Sequence, residues 1–227
     1  GESQPYSVPV GRDAPPAVKS AVAALDSHNA EERRQALKSL AQMNHPAAYA
    51  ALVGAVQHPM RDVRVDAAFL LAKQTNHQER DAVPGLLDAL HDEDARLRAA
   101  AAKALGEIRD AAAVPELLRT MNTDPDGNIR WQASGALSKI GEAAVPGLAE
   151  ALKDEDWKVR RSAAEALSGM REPLAIPALM EAMTDRNDVV RQAVATAIEG
   201  MSEIAVPKLI EALNSRDSNV SRTAADL

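Results

Sequence analysis

A proline recurs along this chain at Pro84, Pro115, Pro146, Pro177 and Pro207, at spacings of 31, 31, 31 and 30 residues. Each follows a β-branched residue (Val83, Val114, Val145, Ile176, Val206) and stands two positions before a leucine (Leu86, Leu117, Leu148, Leu179, Leu209). Proline is tolerated in the first turn of a helix, where its missing N–H has no intrahelical acceptor to lose. Each segment therefore reads as a short helix starting at the proline. A second helix follows in every period. An acidic turn leads to an arginine (Arg64, Arg98, Arg130, Arg160, Arg191) and then a small pair such as Ala67-Ala68 or Ala163-Ala164. A closing apolar residue comes last: Leu71, Leu105, Leu137, Leu167 or Ile198. Spacings of three and four put these residues on one helical face. Glycine or serine at Gly106, Ser138, Gly169 and Gly200 is expected to end the second helices.

A fixed period of this length leaves few folds open. One helix pair cannot bury its apolar face alone, whereas stacked pairs bury a continuous core. Two weaker units precede the five clear ones. The expected organisation is a proline-rich tail over 1–16, with Tyr6 and Val8 as its anchors, followed by a solenoid over 17–227. Its repeats fall near 17–44, 47–79, 82–110, 113–141, 144–171, 175–201 and 205–227, the last truncated. Composition agrees with an all-α reading. Only five residues are aromatic, namely Tyr6, Tyr49, Phe69, Trp131 and Trp157, while alanine and leucine dominate. Thin layers of closely packed helices suit such a composition better than a thick core does. No alternating run of β-branched and polar residues marks a strand.

The recurring outline "VPxLxxAL", "DED", "VRxxAAxALGxI" resembles the short HEAT-like repeat of phycobilisome lyases. The resemblance covers residues 17–227, and its period is shorter than the ~40–47 residues of longer HEAT and armadillo forms. It implies a right-handed α-solenoid of about seven stacked helix-turn-helix repeats, with second helices lining the concave side. The family includes bilin lyases, scaffolds and chaperone-like adaptors, so the resemblance implies no single activity.

Several classes of function are disfavoured by what the chain lacks. It has no cysteine, which removes disulfides, thiolate metal sites and cysteine nucleophiles. No apolar run approaches the roughly 18 residues of a membrane helix, and no signal peptide is visible. A soluble protein is expected, with the cytoplasm favoured over the periplasm and no membrane partner. The net charge of −7 disfavours a nucleic-acid partner. The start at Gly1 suggests a processed or cut N-terminus. The uncapped last repeat suggests a fragment of a longer protein or an association through that end.

No catalytic, cofactor-binding or metal-binding residue is expected. The five histidines, His28, His45, His58, His77 and His91, lie in turns or at helix ends without ligand-like spacing. The "HDED" at 91–94 reads as a turn, because the equivalent place in another repeat carries "KDED". The arginines of the ladder stand six residues after Asp92, Asp124, Asp154 and Asp185. A residue present in every repeat serves what every repeat shares, so these are expected to close turns and cap helices.

Function is then sought in the positions that vary. The residues just after each ladder arginine, and one a turn later, project from the second helix. They supply Asp66 and Phe69, then Lys103, then Trp131 and Gln132, then Arg161 and Glu165, then Gln192. Trp157 stands at a helix entrance beside them. Interface hot spots are enriched in Trp and Arg. Trp131, Trp157, Arg161, Gln132, Lys103, Gln192, Phe69, Asp66 and Glu165 are therefore the expected partner-binding residues. The expected function is a non-catalytic scaffold or adaptor that binds a protein on its concave face. The alternative is an accessory chromophore lyase or chaperone-like protein, and a nucleic-acid-binding role ranks below both.

Overall fold

The computed structural model describes residues 7–73, 79–201 and 206–207. The described residues hold α-helices, short 3-10 turns and no strand. The chain forms two compact units, Gly1–Ala113 and Val114–Leu227. In the first, α1 (Pro16–Ala24) precedes α2 (Ala30–Gln42), α3 (Pro46–Ala55) precedes α4 (Arg61–Leu71), and α5 (Val83–Ala89) precedes α6 (Ala95–Ile108). In the second, α7 (Val114–Thr123) precedes α8 (Gly127–Ile140), α9 (Val145–Ala151) precedes α10 (Trp157–Met170), and α11 (Ile176–Ala182) precedes α12 (Asp188–Glu199). Within each unit second helices pack side by side: α2 on α4 and α4 on α6, then α8 on α10 and α10 on α12. The fold is all-α, of the helical-repeat solenoid class.

The prolines sit where the pattern predicts, in the first turns of α5, α9 and α11, each preceded by a 3-10 turn. The second helices share one register. Counted from their cap residues, the third position is Val63, Leu97, Ile129, Val159 and Val190, none more than 7% exposed. The seventh is Ala67, Ala101, Ala133, Ala163 and Val194, all fully buried. Burying such a valine or leucine contributes about 1.5–3 kcal/mol each. The first repeat departs from this pattern. Its third position is Glu32, which is exposed and accepts a hydrogen bond from the Ser27 hydroxyl.

The repeated acidic turns have a common construction. A first aspartate accepts the N–H two residues on: Asp92 from Asp94, Asp124 from Asp126, Asp154 from Asp156 and Asp185 from Asn187, each at 2.8 Å. The second Asp or Asn of the turn then caps the helix, accepting the N–H of Arg96, Asn128, Lys158 or Val189. These are Asx-type turns followed by N-caps. The ladder arginine closes the loop by donating to carbonyl oxygens of the same turn, as Arg98 does to Asp92 and Glu93 and Arg160 to Asp154 and Glu155. The free edge of the guanidinium reaches the next repeat. Arg64 bonds Asp92, and Arg160 makes a two-pronged pair with Asp185 at 2.7 and 3.0 Å. One arginine therefore holds both its own turn and the joint to its neighbour.

The expectation for the helix ends needs correction. Gly106, Ser138 and Gly169 lie inside α6, α8 and α10, and only Gly200 stands at a helix end. The ends of α6 and α10 fall on Arg109 and Arg171, both left-handed (φ 57° and 54°). Ser138 and Gly169 are small because α8 and α10 approach closely there. The Ser138 hydroxyl donates to the Ala166 carbonyl at 2.8 Å, and a Cβ at 169 would stand 3.1 Å from its Oγ. In the tail, Val8 is buried, while Tyr6 and the truncated seventh repeat, apart from Val206 and Pro207, lie outside the described residues.

Candidate partner-binding surface

The ladder residues are consumed by the fold, so a binding surface has to come from what the second helices leave outside. In the C-terminal unit the fifth position after the cap is Trp131 on α8, Arg161 on α10 and Gln192 on α12. All three are exposed. The indole of Trp131 is 67% exposed, the most of any large apolar side chain among the described residues. Gln132 beside it is half-buried.

Between α10 and α12 runs a groove of about 490 Å³. Arg161, Glu165 and Ser168 form one wall, and Val189, Gln192 and Thr196 most of the other. The groove thus gathers three of the expected residues, Arg161, Glu165 and Gln192. Arg161 Nε donates to Glu165 at 2.7 Å, which flattens the guanidinium along α10 and neutralises the wall. Thr196 spends its hydroxyl on the Gln192 carbonyl of its own helix. The Gln192 side chain and the exposed Val189 are uncharged parts of α12 that line the groove. Val189 escaped the sequence reading. The signal was a second valine beside the buried Val190, at a position that core packing does not need.

Trp157 is the first residue of α10, half-buried, and does not line the groove. Asp66, Phe69 and Lys103 belong to the N-terminal unit. Phe69 is 40% exposed on α4, so it is not core. Asp66 pairs with Arg34 at 3.5 Å. Lys103 is exposed on α6. Ala100, which the periodicity also places toward the outside, is 1% exposed and packs inside.

Among the described residues, no group of three or more His, Asp or Glu side chains is placed to hold a metal. His58 is buried within a turn, its Nδ1 accepting the Met60 N–H and its Nε2 3.2 Å from Asp26. His45 caps α3 through Nδ1. Two carboxylates are held below their ordinary values: Asp94, the N-cap of α6, and Asp185, a ladder aspartate. The Arg61 guanidinium holds the Asp94 carboxyl down to about 2. At Asp185 burial pulls the pKa up, but the bonds from Arg160 and the Asn187 N–H outweigh it and the carboxyl is held below its ordinary value. Perturbed groups of this kind are architecture here. No helix among the described residues is long and apolar enough to cross a membrane.

Helix pairs at a constant period, a shared alanine register and inter-repeat arginine bridges define an α-helical repeat protein. The chain belongs to the HEAT-repeat family: the profile for HEAT repeats matches residues 55–138 and 121–199, and that for the PBS lyase HEAT-like repeat matches residues 32–58. It is similar to the bilin biosynthesis protein PecE of Mastigocladus laminosus, with 32% identity over 133 residues, 55% of this chain and 47% of PecE. The chain therefore spans about half the length of that relative. Among solved structures it resembles the complex of CpcE and CpcF of phycocyanin lyase from Nostoc sp. PCC7120, at 22% identity over 96% of each chain with a TM-score of 0.51. It also resembles a designed armadillo repeat protein in complex with the peptide (KR)4, at 20% identity over 81% of this chain and 99% of that one, with a TM-score of 0.50. At these identities the structural likenesses establish the fold.

Proposed function

We propose that this protein is an accessory subunit of the lyase-associated HEAT-like type, which holds a protein partner on the second helices of its C-terminal unit and performs no bond-making chemistry itself. The observation that carries the reading is Trp131. An indole 67% exposed, in a chain with five aromatic residues, costs solubility that nothing in the described fold recovers. Large rings and arginines at such places are the usual anchors of protein contacts. The groove carrying Arg161 and Gln192 on the following helices extends the same register. The similarity to PecE and to the CpcE–CpcF complex supports a role beside a bilin-attaching reaction, as a chaperone or lyase component.

The test is affinity capture with the wild type beside a Trp131→Ala, Arg161→Ala double variant. Each eluate is read by mass spectrometry and by visible absorbance. A protein retained by the wild type and lost from the variant supports the partner surface. A coloured eluate independent of Trp131 moves the weight to direct bilin handling. Equal retention of every protein by both forms removes this surface from consideration.

A further inference from the structure

The second helices of the two units differ at the ninth position after the cap. In the N-terminal unit α2, α4 and α6 carry Lys38, Phe69 and Lys103 there, all exposed. In the C-terminal unit α8, α10 and α12 carry Gly135, Glu165 and Thr196. Because α2 packs on α4 and α4 on α6, the shared register sets the Phe69 ring between two ammonium groups. The ring is 40% exposed, so the row lies on the surface and not in the core.

The cations of this row are also uncommitted. Every arginine of α2, α4 and α6 is bonded to a carboxylate or to the carbonyls of its own turn, as Arg34 is to Glu31 and Asp66 and Arg61 is to Asp94. Lys38 and Lys103 have no hydrogen bond or ion pair among the described residues. In a chain of net charge −7 the row is therefore a positive strip with a ring at its centre. Carboxylates complement its two ends, and an apolar group complements its middle.

We infer that the N-terminal unit binds an extended acidic segment of a protein, patterned acidic, x, x, apolar, x, x, acidic. Its apolar side chain lies on the Phe69 ring and its two carboxylates pair with Lys38 and Lys103. The spacing follows from geometry. Packed helices lie about 8–10 Å apart. A polyproline-II segment has three residues per turn at about 3.1 Å each, so every third side chain falls on one edge about 9 Å from the last. A nucleic acid fits less well, because it carries a charge at every nucleotide and would bring phosphates against Asp66 and Glu107 of the same helices. A peptide places its carboxylates opposite the lysines alone. The inference stands on residues of the N-terminal unit and does not rest on the reading of α8, α10 and α12.

The chain contains one phenylalanine, so growth on 4-fluorophenylalanine places a single fluorine at position 69, and its NMR resonance reports on the ring directly. Three probes are titrated: a proline-rich peptide with glutamates three residues either side of a leucine, the same peptide with lysines for glutamates, and single-stranded oligothymidylate. The glutamate peptide should shift the resonance saturably and the lysine peptide should leave it in place. Lys38→Ala, Lys103→Ala should weaken the glutamate peptide by about tenfold, the sum of two screened charge pairs. Both lysines are exposed, so the melting temperature of that variant should hold. No shift with the glutamate peptide, an equal shift with the lysine peptide, or undiminished affinity in the double variant overturns the inference. Tighter binding of oligothymidylate than of the glutamate peptide overturns it in favour of nucleic acid. The Trp131→Ala, Arg161→Ala variant should bind the glutamate peptide as the wild type does, which keeps this test apart from the capture experiment. Loss of peptide binding in that variant overturns the assignment to the N-terminal unit.

Discussion

The same arginine position joins repeats in both units, and it does so differently. Arg160 in the C-terminal unit lies between the carbonyls of its own turn and Asp185 of the next, with the two side chains 5% and 8% exposed. Arg33 in the N-terminal unit donates to the Ser27 carbonyl and to Asp62, whose side chain is 39% exposed. The cause is one residue. Where Asp185 stands in its turn, the second repeat has His58. Its Nδ1 accepts the Met60 N–H as the aspartate would, so the turn survives. An imidazole offers no carboxylate to the arginine, and Arg33 is diverted to Asp62. The turn needs only an acceptor, while the joint needs a charge. A second contrast separates the first repeat from the others: Glu32 occupies the register that Val63, Leu97, Ile129, Val159 and Val190 fill with buried apolar groups.

The second contrast gives the largest expected effect. Val190→Glu places a carboxylate at a fully buried position and should cost more than about 4 kcal/mol, melting the C-terminal unit. The reverse exchange, Glu32→Val, should change stability by less than about 1 kcal/mol, because its site is exposed. Circular dichroism melts of both variants decide the matter, and two similar shifts would show that the shared register has been misassigned.

Next comes the joint itself. Arg160→Ala leaves Asp185 buried and unpaired and should cost about 3–5 kcal/mol. Arg33→Ala faces a half-exposed carboxylate and should cost about 1 kcal/mol. Hydrogen exchange read separately over the two units would detect the difference as faster opening near α12 than near α4. If the two variants open their joints equally, burial of the pair is not what sets its worth.

Acid should probe Asp185 and a second carboxylate, Asp94 with its partner Arg61, more gently. Asp94 and Asp185 both have folded pKa values below that of an unfolded aspartate, about 3.9. A depressed carboxylate contributes stability that is fully present above the unfolded value and is lost as pH falls through the folded one. For Asp94 that window runs from about pH 4 down to about 2. Denaturant midpoints should therefore fall across this range. In Asp94→Asn the portion due to that residue should vanish, and an unchanged acid slope in that variant would detach the bridge to Arg61 from acid stability.

These contrasts explain what the sequence could and could not disclose. Period, helix starts and the buried register are written in residue type, because proline, alanine and leucine act through local geometry and volume. The Asx turns were legible for the same reason, since a short carboxylate reaches its own backbone. The bridges between repeats were only half legible. Which aspartate Arg33 would choose depended on His58, 25 positions further along the chain, and no local rule weighs that. The candidate surface divided in the same way. Exposure of Trp131 and Phe69 followed from helical position, but Trp157 lies at a helix entrance, where position does not fix how far a ring folds back. The groove of Arg161, Glu165 and Gln192 needed the packing of α10 on α12 to appear at all.

The smallest effects are the most discriminating, because two glycines of similar sequence setting should respond with opposite sign. Both Gly135 and Gly169 are exposed within second helices. Alanine at 135 meets open space and should stabilise by about 0.5–1 kcal/mol. Alanine at 169 gains the same helix propensity but stands 3.1 Å from Ser138 Oγ, which is held on the Ala166 carbonyl. The hydroxyl, held on the Ala166 and Ser134 carbonyls, must then give by a few tenths of an ångström against a bond worth about 1 kcal/mol, so the change should be neutral or unfavourable. Gly169 is thus explained by a contact inside the molecule. If paired melting curves show Gly135→Ala to be stabilising and Gly169→Ala not, the two glycines are separated by the contact that only the second one makes with the described residues.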